Sequence, residues 1–157
     1  KQKGYTEPDP REDLSGMDVA RKILILSREI GLKLEFSDIT IEKIIPPACE
    51  TAPSVEAFFE EIDRSNDFFE KLVNEAAAKG EVLRYIACLQ DQKITIGLRS
   101  VGPTHPFYQM DGADNVIAFT TKRYHDRPLV IKGPGAGAEV TASGVFADIV
   151  SIGSHLS

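Results

Sequence analysis

The sequence predicts an α+β fold: a mixed β-sheet of about four to five strands with helices on one face. Two observations predict it. Apolar residues recur at helical spacing through most of the first half of the chain, then switch to alternation in the second. The order is helix, strand, two helices, four strands, helix, which groups strands together instead of interleaving them with helices. The chain has 157 residues, of which 42% are hydrophobic and 27% charged, so it is the size of one ordinary domain and has enough apolar content for a core.

Leu14 to Ile30 reads as the first helix. Leu14, Met17, Ala20, Leu24 and Leu26 combine with Val19, Ile23, Ile25 and Ile30 to cover most of the circumference, the pattern of a largely buried helix. Ser15 with Asp18 three residues later resembles a capping box, and Gly31 is a natural stop. Ile39 to Pro46 is β-branched, ends at a proline pair and reads as a strand. Ser54 to Ile62 and Ser65 to Lys79 show helical spacing, and Gly80 ends the second. "EVLRYIACLQ" (81–90) places Leu83, Tyr85, Ala87 and Leu89 on one face, and "KITIGLRSV" (93–101) does the same with Ile94, Ile96 and Leu98. Asp91-Gln92 joins them as a hairpin without the usual glycine. "NVIAFTTKRY" (115–124) and "RPLVIKG" (127–133) supply two more strands, and Asp111 to Asn115 before them is turn chemistry. A glycine-rich loop then leads into a closing helix.

Composition excludes several classes. A formal net charge of -6 and the lack of any Lys/Arg-rich run argue against nucleic acid as a partner. No apolar run approaches the ~20 residues that span a bilayer, so no membrane role is expected. Lys1 to Arg11 is polar and Pro-containing, unlike a signal peptide. Cys49 and Cys88 form no metal-like pair, and no metal site is expected. A reducing cytoplasmic compartment is the expected location. His105, His125 and His155 show no ligand spacing and read as surface or structural residues. The chain opens "KQKG" with no Met, as though cut from something longer, so a fragment is expected.

Two stretches carry chemistry. The first is "GYTEPDPREDLSGMDVARK", Gly4 to Lys22, with five acids against three basic residues. Its prolines push the residues before them out of the α region, giving stiff extended backbone ahead of the helix. Asp18 and Lys22 are four apart and share a helix face. One reading is a plain i,i+4 ion pair. The other is a site: on a helix that is apolar nearly all round, a Lys and an Asp must be paired or face a cavity. Acids from a rigid loop would then converge with Lys22 on a small ligand bearing an ammonium group, with Lys22 as proton donor. The second stretch is "KGPGAGAEVTASG". Gly133, Gly135 and Gly137 let backbone approach a ligand, and the following helix N-terminus favours anions. It is neither a P-loop nor the usual G-x-G-x-x-G, and a tight strand-to-helix turn explains it equally well.

Together these segments resemble homoserine dehydrogenase. The opening motif, "GADNVIAFTTKRY" and "GPGAGAEVTASGVFADIV" match the family in order across essentially the whole chain, most closely the dehydrogenase half of bifunctional aspartokinase/homoserine dehydrogenases. The resemblance implies NADP- or NAD-dependent interconversion of L-aspartate semialdehyde and L-homoserine, on the route to threonine and methionine. It implies Lys22 as the catalytic proton donor, Glu7 and Asp18 as substrate-binding residues with Asp13 and Tyr5 as neighbours, and Gly4 and Gly137 beside the cofactor's nicotinamide. It divides the chain into residues 1–136, a catalytic and dimerisation domain, and 137–157, a C-terminal helix returning to a Rossmann domain absent here. The cofactor is bound mainly by that absent N-terminal domain, so the fragment alone is expected to be inactive. The implied partners are the small-molecule substrate and a second copy, as a homodimer through the sheet. Two alternatives stand beside this: a non-catalytic dimerisation or regulatory module of the same enzyme, and a related hydroxy-acid dehydrogenase.

Overall fold

The computed structural model describes residues 7–110, 114–135 and 137–155. These divide after Gly102 into two compact units.

The first unit opens on a short helix. Asp9, which precedes a proline, is extended, and its carboxylate accepts from the Arg11 backbone N–H at 3.0 Å. Pro10 then begins α1 (Pro10–Asp13). The prolines were expected to hold the segment extended. The second instead occupies the first helical position, where its missing N–H leaves no bond unmade. Leu14 caps α1 and Gly16 caps α2 (Met17–Glu29), so the helix expected from Leu14 is broken and restarts at Met17. The expected capping box does not form. The Ser15 hydroxyl donates to the Glu12 carbonyl at 2.6 Å and accepts from the Met17 N–H, which ties the two helices' ends together.

Nor is α2 largely buried. Ala20, Leu24 and Ser27 are buried, while Ile25 and Ile30 are 60% and 63% exposed. α2 lies against a single sheet face, so only one stripe of it is covered, whatever apolar residues stand elsewhere on its circumference. Gly31 ends it as expected, with its N–H on the Arg28 carbonyl and the Leu32 N–H on that of Ser27.

β1 covers only Ile39–Ile41, shorter than the expected strand, because Pro46 already caps α3 (Pro47–Glu50). α4 (Val55–Arg64) begins where the Ser54 hydroxyl accepts from the Ala57 N–H, and α5 (Asn66–Ala77) follows. β2 (Val82–Gln90) and β3 (Lys93–Val101) form the expected hairpin. Asp91 and Gln92 turn it with φ of 50° and 61°, the left-handed pair that a two-residue turn needs. β1 joins β3 in parallel, giving the order β1-β3-β2 and the expected mixed sheet.

Leu83, Tyr85, Ala87 and Leu89 share a face with Ile94, Ile96 and Leu98, as alternation predicts. Ala20 and Leu24 of α2 pack on Ile94 and Ile96 there. A second core joins Ile45, Cys49, Ala52 and Phe58, with Leu14 packed against it.

Glu42, just past β1, takes both oxygens to Arg99 of β3 at 2.6 and 2.7 Å. The hydrogen-bonded guanidinium holds the Glu42 carboxyl below its usual range. A depressed pKa contributes stability above the unfolded-state value, and that contribution is lost as pH falls through the folded-state value. Replacing Arg99 by Met should therefore flatten the loss of stability on acidification below about pH 4, read as thermal midpoint against pH. The effect should be small because both side chains are partly exposed.

The second unit contains β4 (Asp114–Phe119) paired antiparallel with β5 (Leu129–Pro134), then α6 (Ala138–His155). Among the described residues the strands number five, divided between a three-stranded sheet and a two-stranded one. Residues 111–113 of the expected turn lie outside the described residues.

Candidate active site

The opening motif is anchored from below by a clamp that sequence reasoning missed. Arg11 forks onto the Asp9 carboxylate, with Nε at 2.9 Å and Nη2 at 2.5 Å, and its Nη1 donates to the Ala52 carbonyl at 2.6 Å. The bidentate bond lowers the Asp9 pKa and raises that of Arg11, so the pair stays ionised. Ala52 belongs to the second core, so the clamp fastens the motif to packed structure. The signal was present: an Asp before a Pro, with acids in the next turn, is a helix start.

On this base stand four of the expected site residues. The Glu7 backbone N–H donates to Asp13 Oδ2 at 3.0 Å, which folds the chain before α1 back onto its C-terminal end. Glu7 is exposed, and its carboxylate is not consumed by that bond. Asp18 stands in the first turn of α2 and Lys22 one turn on, with Nζ 2.8 Å from Asp18 Oδ2. The pair is not buried: the Lys22 side chain is 52% exposed and that of Asp18 72%. Burial therefore does not set Asp18 and Lys22 apart from a plain surface ion pair. What remains is an ammonium held at one carboxylate oxygen on an open helix face, beside a loop whose acid is free to act. Gly4 and Tyr5 lie outside the described residues.

The glycine-rich stretch belongs to the second unit. A Cβ at Gly135 would fall 1.7 Å from Asn115 Nδ2, so that glycine is required by close packing between β4 and the loop after β5. Gly137 differs: its φ is +131°, it is exposed, and nothing lies within 4 Å of where a Cβ would stand. It stands just before the start of α6. Among the described residues no group of His, Cys, Asp and Glu is arranged to hold a metal ion.

The sequence model of the family "Homoserine dehydrogenase" matches residues 1–150. The chain is 48% identical to the chloroplastic bifunctional aspartokinase/homoserine dehydrogenase 1 of Arabidopsis thaliana, over 99% of this chain and 17% of that one. It is 43% identical to the homoserine dehydrogenase of Schizosaccharomyces pombe, over 99% of this chain and 42% of the relative. A crystal structure from Archaeoglobus fulgidus described as a homoserine dehydrogenase superposes with a TM-score of 0.70 at 30% identity, covering 96% of this chain and 40% of that one. The chain thus spans less than half the length of each of these relatives, yet the family match runs through Glu7 to Lys22, both sheets and most of the closing helix. The chain belongs to the homoserine dehydrogenase family.

Proposed function

We propose that this chain is the catalytic portion of a homoserine dehydrogenase, interconverting L-aspartate semialdehyde and L-homoserine with NADP or NAD. The observation that carries this is the arrangement of the opening motif: Lys22 Nζ on Asp18 Oδ2 at 2.8 Å, and Glu7 fastened through its backbone to Asp13.

In the reducing direction, negative charge develops on the aldehyde oxygen as its carbon accepts a hydride. Lys22 stabilises that charge and gives the oxygen its proton; in the reverse direction it takes the proton back. Asp18 keeps Lys22 in place. Its Oδ1 and the Glu7 carboxylate receive the substrate's α-ammonium, a charge-assisted contact. Asp13 sets the Glu7 backbone. The nicotinamide cofactor supplies or accepts the hydride when bound. Gly137 and Gly4 are assigned to it, and Tyr5 to the substrate side, by motif position alone.

Residues 1–136 would then serve catalysis and dimerisation, and 137–157 would return to a nucleotide-binding domain. Val145, Phe146, Ile149 and Ile152 of α6 are all more than half exposed, which suits a helix that packs on a further domain. Leu129, Val130 and Ile131 of β5 are exposed on both faces of their strand, which suits a homodimer through the sheet, and light scattering measures it. Cys49 and Cys88 are free thiols, in keeping with a reducing compartment such as the cytoplasm.

The test is Glu7→Gln in the complete enzyme. Losing a charged hydrogen bond worth roughly 1.5–3 kcal/mol should raise the homoserine KM by about one to two orders of magnitude with kcat little changed. An unchanged KM would make Glu7 part of the loop scaffold.

A further inference from the structure

Tyr85 has no part in the scheme above, yet its hydroxyl lies buried at the start of the helix that carries Lys22. It stands on β2, packed against the core formed by Ala20, Leu24, Ile94 and Ile96. Its Oη has no hydrogen-bond partner among the described residues. A phenylalanine ring would have the same shape without the desolvated hydroxyl, so an unpaired Oη here is unfavourable for stability alone.

What Oη touches is the Gly16 turn. A Cβ at Gly16 would fall 2.3 Å from Tyr85 Oη, 3.3 Å from its Cζ and 3.2 Å from Ile41 Cγ2. The hydroxyl therefore occupies the space that any other residue's side chain would take at the cap of α2. Gly16 has φ +76°, so the turn from α1 to α2 depends on glycine for its backbone as well. The Tyr85 ring fixes how closely that turn approaches the sheet, and Ile41 of β1 closes it from another side. α2 begins at the next residue, with Asp18 in its first turn and Lys22 one turn further.

We propose that Tyr85 is a positioning residue for the reaction: its hydroxyl is a buried wedge between the sheet and the Gly16 turn, and it sets where α2 begins and so where Lys22 Nζ stands. The consequence for turnover rests on Lys22 being the proton donor. A helix moves as a rod, so a shift at its cap is carried to Lys22, and proton transfer is sensitive to displacements well under the length of a bond.

The experiment uses the complete enzyme and two substitutions. Tyr85→Phe should lower kcat by about 10-fold, shift the pH profile of kcat, and leave NADPH affinity unchanged. Its thermal midpoint should be equal to or above that of the wild type. A residue that only fills space would lower the midpoint and leave the pH profile alone. Gly16→Ala should lower the midpoint sharply, and adding Tyr85→Phe should restore part of the loss, since removing Oη relieves the 2.3 Å clash and leaves the backbone strain. Wild-type kcat and pH profile in Tyr85→Phe would overturn the positioning role. A double variant no more stable than Gly16→Ala would overturn the wedge. The thermal coupling is independent of which group donates the proton, so a fully active Lys22→Met would count against that assignment and leave the wedge to its own result. If Gly16→Ala does not fold, Tyr85→Phe alone carries the test.

Discussion

Lys22→Met in the complete enzyme is expected to cut turnover by about 100- to 10,000-fold and to leave NADPH affinity nearly unchanged. Met keeps the stem of the side chain and removes only the ammonium. The helix face is open at this point, so no buried charge is orphaned: Asp18 is 72% exposed and loses a partner in water. The fold should therefore survive, and the loss should fall on the chemical step. Asp18→Asn would be less clean, because it releases Lys22 and removes a substrate contact together. Steady-state kinetics with a separate cofactor titration reads the result. Near-normal turnover in Lys22→Met would mean that the proton comes from another group.

Phe58→Ala is expected to destabilise the first unit by about 3–5 kcal/mol. Phe58 is 1% exposed and is the largest side chain of the second core. It meets Phe59 edge-on at 5.5 Å and shares its cluster with Ile45, Cys49 and Ala52. A cavity there is felt in the site as well. Leu14 at the end of α1 packs on this core, and the Ala52 carbonyl holds Arg11. The variant should accordingly lose homoserine affinity before it unfolds, seen as a rise in KM at temperatures where it is still folded. Chemical denaturation measures the stability; a loss below about 1 kcal/mol would mean that the core collapses to fill the space.

The parts of this fold that were legible are those where one local pattern decides. Alternation in 81–90 and 93–101 named one face of the hairpin, and Ile94 and Ile96 on that face are fully buried as it required. Ser54 and Gly31 acted as the helix signals they resemble. Burial of α2 was misread because circumference counts say nothing of how many layers surround a helix. One sheet face covers it, and Ile25 and Ile30 stay outside in this chain. The pairing of Asp18 with Lys22 was legible from spacing alone, but its exposure was not. The Arg11 clamp could have been read from Asp9-Pro10 as a helix start; its contact with Ala52 depends on tertiary packing. The approach of Tyr85 to Gly16 joins a strand to a turn far away in sequence, and neither residue carries a local signal of it.

The residues from Glu7 to Lys22, on the loop before α1 and on α2, are proposed to recognise an amino acid and to give the aldehyde oxygen its proton. The most direct test is kcat/KM of the complete enzyme for homoserine and for malate. Malate offers a hydroxyl and carboxylates but no α-ammonium, so Glu7 and Asp18 would face it with their charges unmet. NADP reduction is expected with homoserine, with discrimination against malate of roughly 10,000-fold, as for sites whose polar groups are left without a partner. Comparable rates for the two substrates, or turnover of malate alone, would contradict it.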